Sequence, residues 1–382
     1  MLPMNDTSKL PASLAELLAQ LDSRGITDYR RYKAVRSYMN FRAREKDIPI
    51  SGTFELTPLC NLDCKMCYVH LEKNQLCGAR LLSVDEWKKF ADEAVDCGMM
   101  YARLTGGECL TYPHFKEFYT YLQSKGVEVT VLTNGVLLDE EMTVFFKENP
   151  PAAIQITLYG ASDETYMKVT GSRAFAKVIA NIKNIIAAKL PLSVVITPNP
   201  FMSDGEELIR LVHSLGLPIV INSGLMKPRE ETGREKQETD VDTYVSLYRL
   251  RKELQGEEIL SDPDSEPMEN LDLSTQGQPK GVTCGAGRSA FSISWRGEMR
   301  PCNTFPFVAE NVLEKGFLQA WKNINSYVKE YPLPIECEGC RYKKICKHCV
   351  AEHASGAEAG HANPAVCLWI KRLVAEGLIN IN

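Results

Sequence analysis

The sequence has no apolar run long enough to span a lipid bilayer. Its beginning, MLPMNDTSKLPASLAELL, lacks the basic stretch followed by an apolar stretch that marks a secretory signal. It also lacks an excess of positive charge, since the formal net charge is −5. A chain without a broad positive field is not typical of nucleic-acid-binding proteins. We therefore expect a cytoplasmic protein that binds neither membrane nor nucleic acid.

Cysteine, in contrast, is abundant, with 13 among 382 residues. In the reducing cytoplasm thiols stay unpaired, so a cysteine pattern there indicates a metal site or catalysis rather than disulfides. The rest of the composition, 44% hydrophobic and 24% charged, is that of a globular protein long enough for two modest domains. The spacing of the cysteines is therefore the informative feature.

Strand and helix patterns alternate between residues 51 and 224. Six short apolar segments, from GTFELTP to LPIVINS, predict strands, and five helical patterns separate them. The first of these helices begins with the capping-box pair Ser83 and Glu86 and ends at Gly98. Such alternation predicts βαβ units, and strands that are apolar on both faces predict a covered parallel sheet. The expected fold class is α/β.

The rest of the chain divides into three parts. Residues 1–50 predict a helical segment, whose second helix, DYRRYKAVRSYMNFRAREK, is strongly basic and is expected to present a solvated face. Residues 225–280 are polar and rich in Pro and Gly, which indicates bridging loops around one helix near VDTYVSLYRLRKEL. Residues 281–382 contain a dense set of cysteines and predict a small C-terminal domain.

Three cysteines, Cys60, Cys64 and Cys67, follow the first predicted strand within LTPLCNLDCKMCYVH. Each iron of a [4Fe–4S] cluster takes one thiolate, so three cysteines leave one iron open. An open coordination position is typical of a catalytic metal site. In parallel barrels the loops that follow the strands hold the active site, and this segment is such a loop. A structural zinc site with His70 as the fourth ligand remains an alternative.

The segment CNLDCKMC has the spacing CxxxCxxC, and TGGE at residues 105–108 follows the second predicted strand. With these two motifs, residues 52–224 resemble the radical S-adenosylmethionine (SAM) enzymes. The resemblance implies a partial (β/α)6 TIM-like barrel in which the three cysteines hold a [4Fe–4S] cluster and the open iron binds SAM. In that family one electron cleaves SAM, and the resulting 5′-deoxyadenosyl radical takes a hydrogen atom from the substrate. An external donor such as flavodoxin or ferredoxin would supply the electron.

The same resemblance implies particular contacts to SAM. Gly106 and Gly107 would let the backbone approach the ligand, and Glu108 or backbone carbonyls would receive its ammonium group. Catalysis is expected to depend on Glu108 as well as on the three cluster cysteines. Met66 stands where the family often has an aromatic residue beside the adenine. The further expected contacts end the third and fourth strands: Thr133, Asn134 and Thr157.

Seven more cysteines lie between residues 284 and 367, in CGAGRSAFSISWRGEMRPC, CEGCRYKKICKHC and PAVC. Two CxxC pairs could bind one zinc ion as in a zinc ribbon, but Cys284, Cys302 and Cys367 would then have no role. The whole pattern resembles the SPASM extension of radical SAM enzymes, a small iron–sulfur domain with two auxiliary [4Fe–4S] clusters. The chain would then carry three such clusters.

The SPASM resemblance also implies which cysteines share a cluster. The first auxiliary cluster would take Cys284, Cys302 and Cys349. The second would take Cys337, Cys340, Cys346 and Cys367. The segment CKHC departs from the family, which usually places three residues between the last two cysteines. No fourth cysteine falls to the first auxiliary cluster, so one iron there is expected to be open or held by another group, and a substrate thiolate is one candidate.

The SPASM resemblance leaves three classes of substrate. They are a ribosomally made precursor peptide that receives a thioether or another crosslink, a protein in which a sulfatase maturase forms formylglycine, and a small molecule that is dehydrogenated or epimerised. The segment QITLYGASDETYMKVTG is similar to peptide maturases of the sactipeptide and ranthipeptide type, whereas sulfatase maturases more often have Asp-Gly in place of Tyr159-Gly160. This favours a peptide. A non-catalytic electron carrier is a distant alternative, because such a carrier needs no SAM pocket.

Overall fold

The structure is a computed structural model. It describes residues 14–23, 29–222, 224–229, 232–238, 240–256, 281–282, 284–343, 345–346, 349–358 and 360–380. Within these ranges no helix is both long enough and apolar enough to cross a membrane.

A nine-stranded sheet forms the centre of the molecule, with the strand order β6-β5-β4-β3-β2-β1-β7-β8-β9. The strands are β1 Ser51–Glu55, β2 Tyr101–Thr105, β3 Glu128–Thr133, β4 Ala153–Leu158, β5 Leu192–Ile196, β6 Ile219–Ile221, β7 Ala290–Ile293, β8 Glu298–Arg300 and β9 Glu310–Asn311. Every neighbouring pair among β1–β7 is parallel, while β8 and β9 are antiparallel. The six predicted strands are therefore confirmed, and each is a neighbour of the next in the chain.

Thirteen α-helices lie in the described part of the chain. They are α1 Leu14–Ser23, α2 Tyr29–Glu45, α3 Val84–Asp96, α4 Phe115–Ser124, α5 Glu140–Glu148, α6 Asp163–Thr170, α7 Phe175–Ala187, α8 Gly205–Ser214, α9 Val241–Gln255, α10 Val312–Lys315, α11 Phe317–Glu330, α12 Val350–Ala354 and α13 Pro364–Ala375. Helices α3, α4, α5, α7 and α8 are the five predicted between the strands. Helix α9 is the one predicted in the bridging region, whose residues 257–280 lie outside the described ranges, as do residues 1–13 and 24–28.

The predicted capping box starts helix α3. The Ser83 hydroxyl accepts the Glu86 N–H at 3.2 Å, and a Glu86 carboxylate oxygen accepts the Ser83 N–H at 2.8 Å. The helix ends before Gly98, whose backbone has φ +106° and so favours glycine. The capped helix buries Trp87 and Phe90 against the sheet.

The core lies between the sheet and the helices that cover it. Phe54 of β1 is fully buried and meets the edges of Trp87, Phe118 and Phe291 at ring-centroid distances of 5.8, 5.5 and 6.0 Å. Its neighbours come from α3, α4 and β7, so one strand joins early and late parts of the chain. The α/β fold with a TIM-like partial barrel is thus confirmed.

Strands β7–β9 and helix α6 are absent from the predicted pattern. Strand β7 pairs with β1 in parallel, with Ser51 opposite Ala290, so the region after residue 281 extends the barrel sheet directly. The approach is close, since a Cβ at Gly52 would lie 2.5 Å from the Phe291 ring. The proposed division of the chain at residues 50, 224 and 280 stays a prediction.

Helix α2 packs on the amino-terminal end of the barrel, contrary to the expected solvated face. The Arg36 side chain is buried, lies over the Tyr101 ring at 3.9 Å and pairs with Glu128 at 3.6 Å. Tyr101 and Glu128 are the first residues of β2 and β3. A row of basic residues on a helix predicts an exposed face. The long apolar stem of arginine nevertheless allows such a helix to be buried when an aromatic ring and a carboxylate contact the guanidinium.

Candidate active site

The candidate site lies at the carboxyl edge of the sheet, where four loops meet. The cysteine loop, residues 56–70, follows β1, and the TGGE turn ends β2. Asn134 follows β3 and Tyr159 follows β4. Parallel strands place their carboxyl ends on one side, which is why segments far apart in sequence come together here.

All three cysteines of the loop are free thiols. The Cys60 sulfur accepts the Leu62 N–H at 3.4 Å, and the Cys67 sulfur accepts the His70 N–H at 3.3 Å. Burial raises the pKa of Cys60 to about 12 and that of Cys64 well above its ordinary value. Such thiols stay protonated on their own and give up the proton when a metal binds, and the N–H donors then stabilise the thiolates.

The spacing of ligand atoms bears on the zinc alternatives. A tetrahedral zinc ion holds its sulfur ligands about 4 Å from one another. Among the described residues, only Asp63, His70 and Glu72 bring three potential ligand atoms within 4.8 Å of one another. No three cysteine sulfurs of the described residues lie that close to one another. A group of three thiols arranged for one zinc ion is therefore not found among the described residues.

The two glycines of the TGGE turn allow two backbones to touch. A Cβ at Gly106 would lie 2.4 Å from the Thr57 carbonyl oxygen, and one at Gly107 would lie 2.5 Å from that of Leu59. The Gly107 N–H donates to Thr57 at 2.7 Å. From the sequence, Gly106 and Gly107 are expected to let the backbone approach SAM. The structure adds a requirement within the chain, because the cysteine loop rests directly on the turn.

Glu108 is buried, and both of its carboxylate oxygens already accept hydrogen bonds. One accepts the Leu110 N–H at 3.1 Å and the Thr133 hydroxyl at 2.8 Å, and the other accepts the Asn134 N–H at 2.8 Å. Burial raises the pKa of Glu108, and these donors oppose the rise. The carboxylate therefore holds the ends of β2 and β3 together. The expected contact of Glu108 or of the backbone carbonyls with the ammonium group of SAM stays a prediction.

Asn134 connects the third strand to the cysteine loop. Its side-chain N–H2 donates to the Asn61 carbonyl oxygen at 2.7 Å and to the Cys60 sulfur at 3.6 Å. Met66 is buried in the main core, and Thr157 is half-buried in β4 opposite Val195. Thr133, as described, is bound to Glu108. The predicted contacts of these residues with SAM stay predictions.

Tyr159 was not identified as a site residue from the sequence. Its ring meets the edge of Tyr166 on α6 at 5.8 Å. Burial raises the pKa of the Tyr159 hydroxyl well above its ordinary value, and the neighbouring Cys64, Cys60 and Cys67 add to the rise. A tyrosine directly after the fourth strand, on the same edge as the cysteines, is the signal that could have indicated it.

Two arginines of residues 225–238, Arg229 and Arg234, bind the cysteine loop. Arg234 donates to the Cys64 carbonyl at 2.8 Å, pairs with Asp63 and lies 3.2 Å from His70 Nδ1. The Arg234 guanidinium contacts both Asp63 and His70 and supplies the positive charge that a bound cation would supply there. These arginines were also missed, because the segment looked like a polar linker.

Arg229 joins the cysteine loop to the Cys302 turn. Its guanidinium forms a bidentate pair with the buried Glu55 carboxylate at 2.8 and 2.7 Å and donates to the Asn303 carbonyl at 3.2 Å. Its backbone N–H donates to Tyr68 at 3.0 Å. One residue thus connects the end of β1, the cysteine loop and the residue after Cys302.

The C-terminal cysteines fall into two neighbourhoods. Cys349 is close enough to Cys284 and Cys302 for their charges to add to the burial that raises its pKa. Cys337 is related in the same way to Cys340 and Cys367. These are the groupings implied for the two auxiliary clusters, with Cys346 packed beside the small core of α9 and α13.

The N-terminal helix reaches the first of these neighbourhoods. The Arg44 charge partly offsets the effect of burial on the pKa of Cys284. Arg288 lies close enough to lower the pKa of the Arg44 guanidinium, after the larger effect of burial. A positive environment of this kind stabilises thiolates.

Comparison with known proteins adds a second line of observation. Residues 54–236 match the model of the radical SAM superfamily, and residues 284–350 match that of the SPASM iron–sulfur cluster-binding domain. The chain therefore contains a radical SAM domain followed by a SPASM domain. The first match includes the cysteine loop, the TGGE turn and Arg234, and the second includes six of the seven C-terminal cysteines.

Among its relatives, this radical SAM chain is 27% identical over 320 residues to the AdoMet-dependent heme synthase of Methanosarcina barkeri, covering 78% of this chain and 90% of that protein. It is 24% identical over 353 residues to the subtilosin biosynthesis protein AlbA of Bacillus subtilis, covering 89% and 75%. The structure of Streptococcus suis SuiB bound to S-adenosylmethionine superposes with a TM-score of 0.64 at 16% identity, covering 92% and 86% of the two chains. The SuiB likeness shows the shared fold.

The residues present fit the iron–sulfur chemistry of the family. Cys60, Cys64 and Cys67 are free thiols, with Cys64 buried and the other two half-buried, and the sulfurs of Cys60 and Cys67 accept backbone N–H donors. Cluster sulfurs and thiolates are stabilised by such donors. The chain is therefore an iron–sulfur enzyme that uses SAM.

Proposed function

We propose that the enzyme acts on a ribosomally made precursor peptide and takes a hydrogen atom from it so that a thioether or another crosslink forms. The observation that carries the proposal is the similarity to AlbA, a bacteriocin biosynthesis protein, which extends over 89% of this chain. The Tyr159-Gly160 pair after β4 supports the same assignment.

When bound, the front cluster and SAM supply a 5′-deoxyadenosyl radical. The protein chain binds the cluster and SAM and shields the reacting centre from water. Cys60, Cys64 and Cys67 would hold three irons, and Asn134 and Arg234 bind the loop that carries them. Glu108 joins the ends of β2 and β3, and the TGGE turn would receive the ammonium group of SAM. The loops around this edge exclude water from the reacting centre.

SAM cleavage is the first test. Protein reconstituted anaerobically with iron and sulfide, then given dithionite and SAM, is expected to form 5′-deoxyadenosine. Replacing Cys60, Cys64 and Cys67 together by Ala removes the ligands and is expected to abolish the product. The Cys77→Ala variant is the matched control, because this exposed cysteine lies outside the motif. Undiminished cleavage by the triple variant would contradict the assignment.

The cluster count is part of the proposal. Three cysteines in the cysteine loop and seven in the C-terminal region would hold three [4Fe–4S] clusters, or about twelve irons per chain. The triple variant is then expected to keep about eight. Iron and sulfide analysis measures both, and about four irons together with stoichiometric zinc would favour a zinc ribbon instead.

For the first auxiliary cluster we propose that the open iron binds the thiolate of a substrate cysteine. Cys284, Cys302 and Cys349 supply three ligands, and metal binding would lower the pKa of the incoming thiol and place its sulfur for bond formation. Two protein groups nearby compete for this position. The Thr304 hydroxyl lies 3.4 Å from the Cys302 sulfur, and the Glu352 charge adds to the burial that raises the pKa of Cys349.

Spectroscopy of the triple variant, which isolates the auxiliary clusters, tests this point. A cysteine-containing substrate peptide is expected to perturb the spectrum of one cluster, and the same peptide with Cys replaced by Ser is not. The perturbation should persist in Glu352→Gln and Thr304→Val backgrounds. If either replacement itself changes the resting spectrum and the peptide does nothing, the iron is held by the protein.

A small molecule is the second candidate substrate. The heme synthase relative, with 90% of its length covered, favours it. Binding experiments separate the two: tight binding of a porphyrin with no binding of precursor peptides would support the small molecule. A sulfatase maturase, the third candidate, would convert a Cys or Ser of a sulfatase peptide to formylglycine, which mass spectrometry detects.

A further inference from the structure

Arg229 lies between two cysteine groups that are far apart in the sequence. Its backbone N–H donates to the Tyr68 carbonyl at 3.0 Å, and Tyr68 directly follows Cys67. Its guanidinium donates to the Asn303 carbonyl at 3.2 Å, and Asn303 directly follows Cys302. The side chain and the backbone of one residue therefore bind the neighbour of a cysteine in each group.

A buried carboxylate fixes the guanidinium in this position. Glu55 is 1% exposed and forms two parallel hydrogen bonds with Arg229, at 2.8 and 2.7 Å. A buried charge needs a partner, and two planar groups of this kind fit together in one orientation. The bond to Asn303 uses the same Nη2 atom that binds Glu55. Arg229 therefore cannot follow a shift of Asn303 without weakening its pair with Glu55.

The backbone around Arg229 is bound as firmly as its side chain. The N–H and the hydroxyl of the buried Thr232 both donate to the Arg229 carbonyl, at 3.0 and 2.7 Å. The same hydroxyl accepts the Arg234 N–H at 3.2 Å, and Arg234 donates to the Cys64 carbonyl. A displacement of Arg229 would therefore reach the cysteine loop at two places, at Tyr68 and at Cys64.

We propose that Arg229 is a positioning residue that couples the two cysteine groups, so that an occupied first auxiliary site stabilises the cysteine loop around the front site. The inference rests on the cluster arrangement in the proposed function and adds a dependence of one site on the other. A group bound at Cys302 fixes the adjoining Asn303 carbonyl. Arg229 then holds Tyr68, and with it the end of the cysteine loop, in one position.

Thermodynamic linkage makes this dependence reciprocal. If the occupied auxiliary site stabilises the cysteine loop, an occupied front site stabilises the Asn303 turn by the same factor. Couplings between two sites are roughly 5- to 150-fold, and we expect the lower end because Arg229 is one of several residues that bind the loop. The competing explanation is that Arg229 only stabilises the fold. Its loss and the loss of the auxiliary group would then add independently.

Emptying the first auxiliary site is the first arm of the experiment. The double variant Cys284→Ala with Cys349→Ala removes two of the three cysteines of that site and leaves Cys302 and Asn303 unchanged. This variant and the wild type, both reconstituted anaerobically with iron and sulfide, are compared by hydrogen exchange of residues 61–70. Exchange reports the local stability of the cysteine loop. It is expected to be about 5- to 10-fold faster in the variant.

Removing the link is the second arm. Arg229→Lys keeps a positive charge beside Glu55 but lacks the planar fork that binds Glu55 and Asn303 together. In this variant the loop is expected to exchange faster from the start, and emptying the auxiliary site should add less than about twofold. Arg234→Gln is the matched control, because Arg234 binds the loop and not the Asn303 turn. Emptying the site in that control should still add about 5- to 10-fold.

A second variant and a second measurement keep the test sharp. Arg229→Gln with Glu55→Gln removes both charges, so that no buried charge is left unpaired, and it should lose the coupling in the same way. Electron paramagnetic resonance of the reduced protein gives the occupancy of the front site as the part of the signal that SAM changes. That part should fall when the auxiliary site is emptied, and it should fall no further when Arg229 is replaced as well.

Unchanged exchange of residues 61–70 after the auxiliary site is emptied would overturn the inference. So would an equal acceleration with and without Arg229, since that result assigns the residue to the fold alone. A wild-type chain that takes up no iron at Cys284, Cys302 and Cys349 would also contradict it. The proposed function fails on different measurements, namely 5′-deoxyadenosine formation and the binding of precursor peptides by the wild type.

Discussion

At the scale of single residues, Gly107 has to lack a side chain because the cysteine loop packs directly against its Cα. Two carbonyl oxygens, of Leu59 and Pro58, would lie 2.5 and 2.6 Å from a Cβ at this position. Backbone atoms cannot turn aside as a flexible side chain can. The loop would have to move, and with it the cysteines that follow.

We therefore expect Gly107→Ala to destabilise the protein by about 1–3 kcal/mol, as overpacking does elsewhere, and to lower the iron content of the front site. Thermal unfolding and iron analysis measure the two effects. Gly224→Ala is the control, because nothing lies within 4 Å of a Cβ there. A Gly107→Ala protein with the stability and iron content of the control would show that the loop is not seated as described.

Arg234 offers a second test at this scale. Arg234→Gln removes the charged donor to the Cys64 carbonyl and the pairing with Asp63, which we expect to cost about 1–3 kcal/mol in the local stability of the loop. Hydrogen exchange of residues 60–70 in the iron-loaded protein should become faster. Lys236→Gln is the matched control, since Lys236 pairs with Glu238 and not with the loop. Equal exchange in both variants would speak against the contact.

The site could be predicted from the sequence where its residues form local motifs. The cysteine spacing and TGGE are such motifs, and both lie on the carboxyl edge as expected. Tyr159, Arg229 and Arg234 were missed because their roles arise only from tertiary contacts, up to 174 residues apart for Arg229 and Glu55. The role expected for Glu108 at SAM stays a prediction, and its hydrogen bonds to Thr133 and Asn134 could not be read from the sequence.

At the scale of elements, helix α3 shows how a short local pattern fixes a boundary. Ser83 and Glu86 form the capping box, and Arg80 holds the Glu86 carboxylate at 2.7 and 2.6 Å. The Arg80 hydrogen bond is the main reason that the pKa of Glu86 falls to about 2 from 4.5, against the opposing effect of burial. A depressed pKa means that the ionised form stabilises the fold above pH 4.5 and that this stabilisation is lost as the pH falls through about 2.

Glu86→Gln is accordingly expected to weaken the first turn of α3 by about 0.5–1 kcal/mol at pH 7. The difference from the wild type should stay constant between pH 8 and pH 5, since the carboxylate remains ionised over that range. Hydrogen exchange of the amides of residues 84–88, compared at equal pH, measures it. Asp85→Asn, in the same turn but outside the capping box, is the control. A difference that disappears by pH 5 would contradict the low pKa.

Elements with strong local signals were predicted, and those without them were not. Strands β1–β5 have five or six residues each, β6 lies in the apolar segment LPIVINS, and the helices between the strands are amphipathic. Strands β7, β8 and β9 have only 4, 3 and 2 residues, too few for a pattern. They form by pairing, β7 with β1, β8 with β7 and β9 with β8. Helix α6 did carry a signal, since Ser162 caps it and Gly171 ends it at φ +69°.

At the scale of the whole molecule, the barrel and the C-terminal cysteine region share one sheet. Strand β1 has β2 on one side and β7 on the other, and Phe54 packs against Phe291. Without β7, the edge of β1 and the aromatic core behind it would face water. Exposed apolar strand edges of this kind pair with other molecules.

A chain that ends at residue 256 is therefore expected to aggregate, even though it contains all six strands of the predicted barrel. Solubility and size-exclusion chromatography after expression measure this. The control is the full-length chain, in which β7 pairs with β1 and which should stay soluble. A monomeric, folded product from the unmodified shortened chain would show instead that the barrel is independent.

The pairing of β1 with β7 also determines when the sheet can be completed during synthesis of the chain. Ser51 and its partner Ala290 are separated by about 240 residues, which a ribosome adds in roughly ten to fifty seconds. During that interval the nascent chain has a strand with one vacant side, and the Arg229 link to Asn303 cannot yet form. Until the residues of β7 have left the ribosome, the nascent chain therefore exposes a strand edge of the kind that pairs with other molecules.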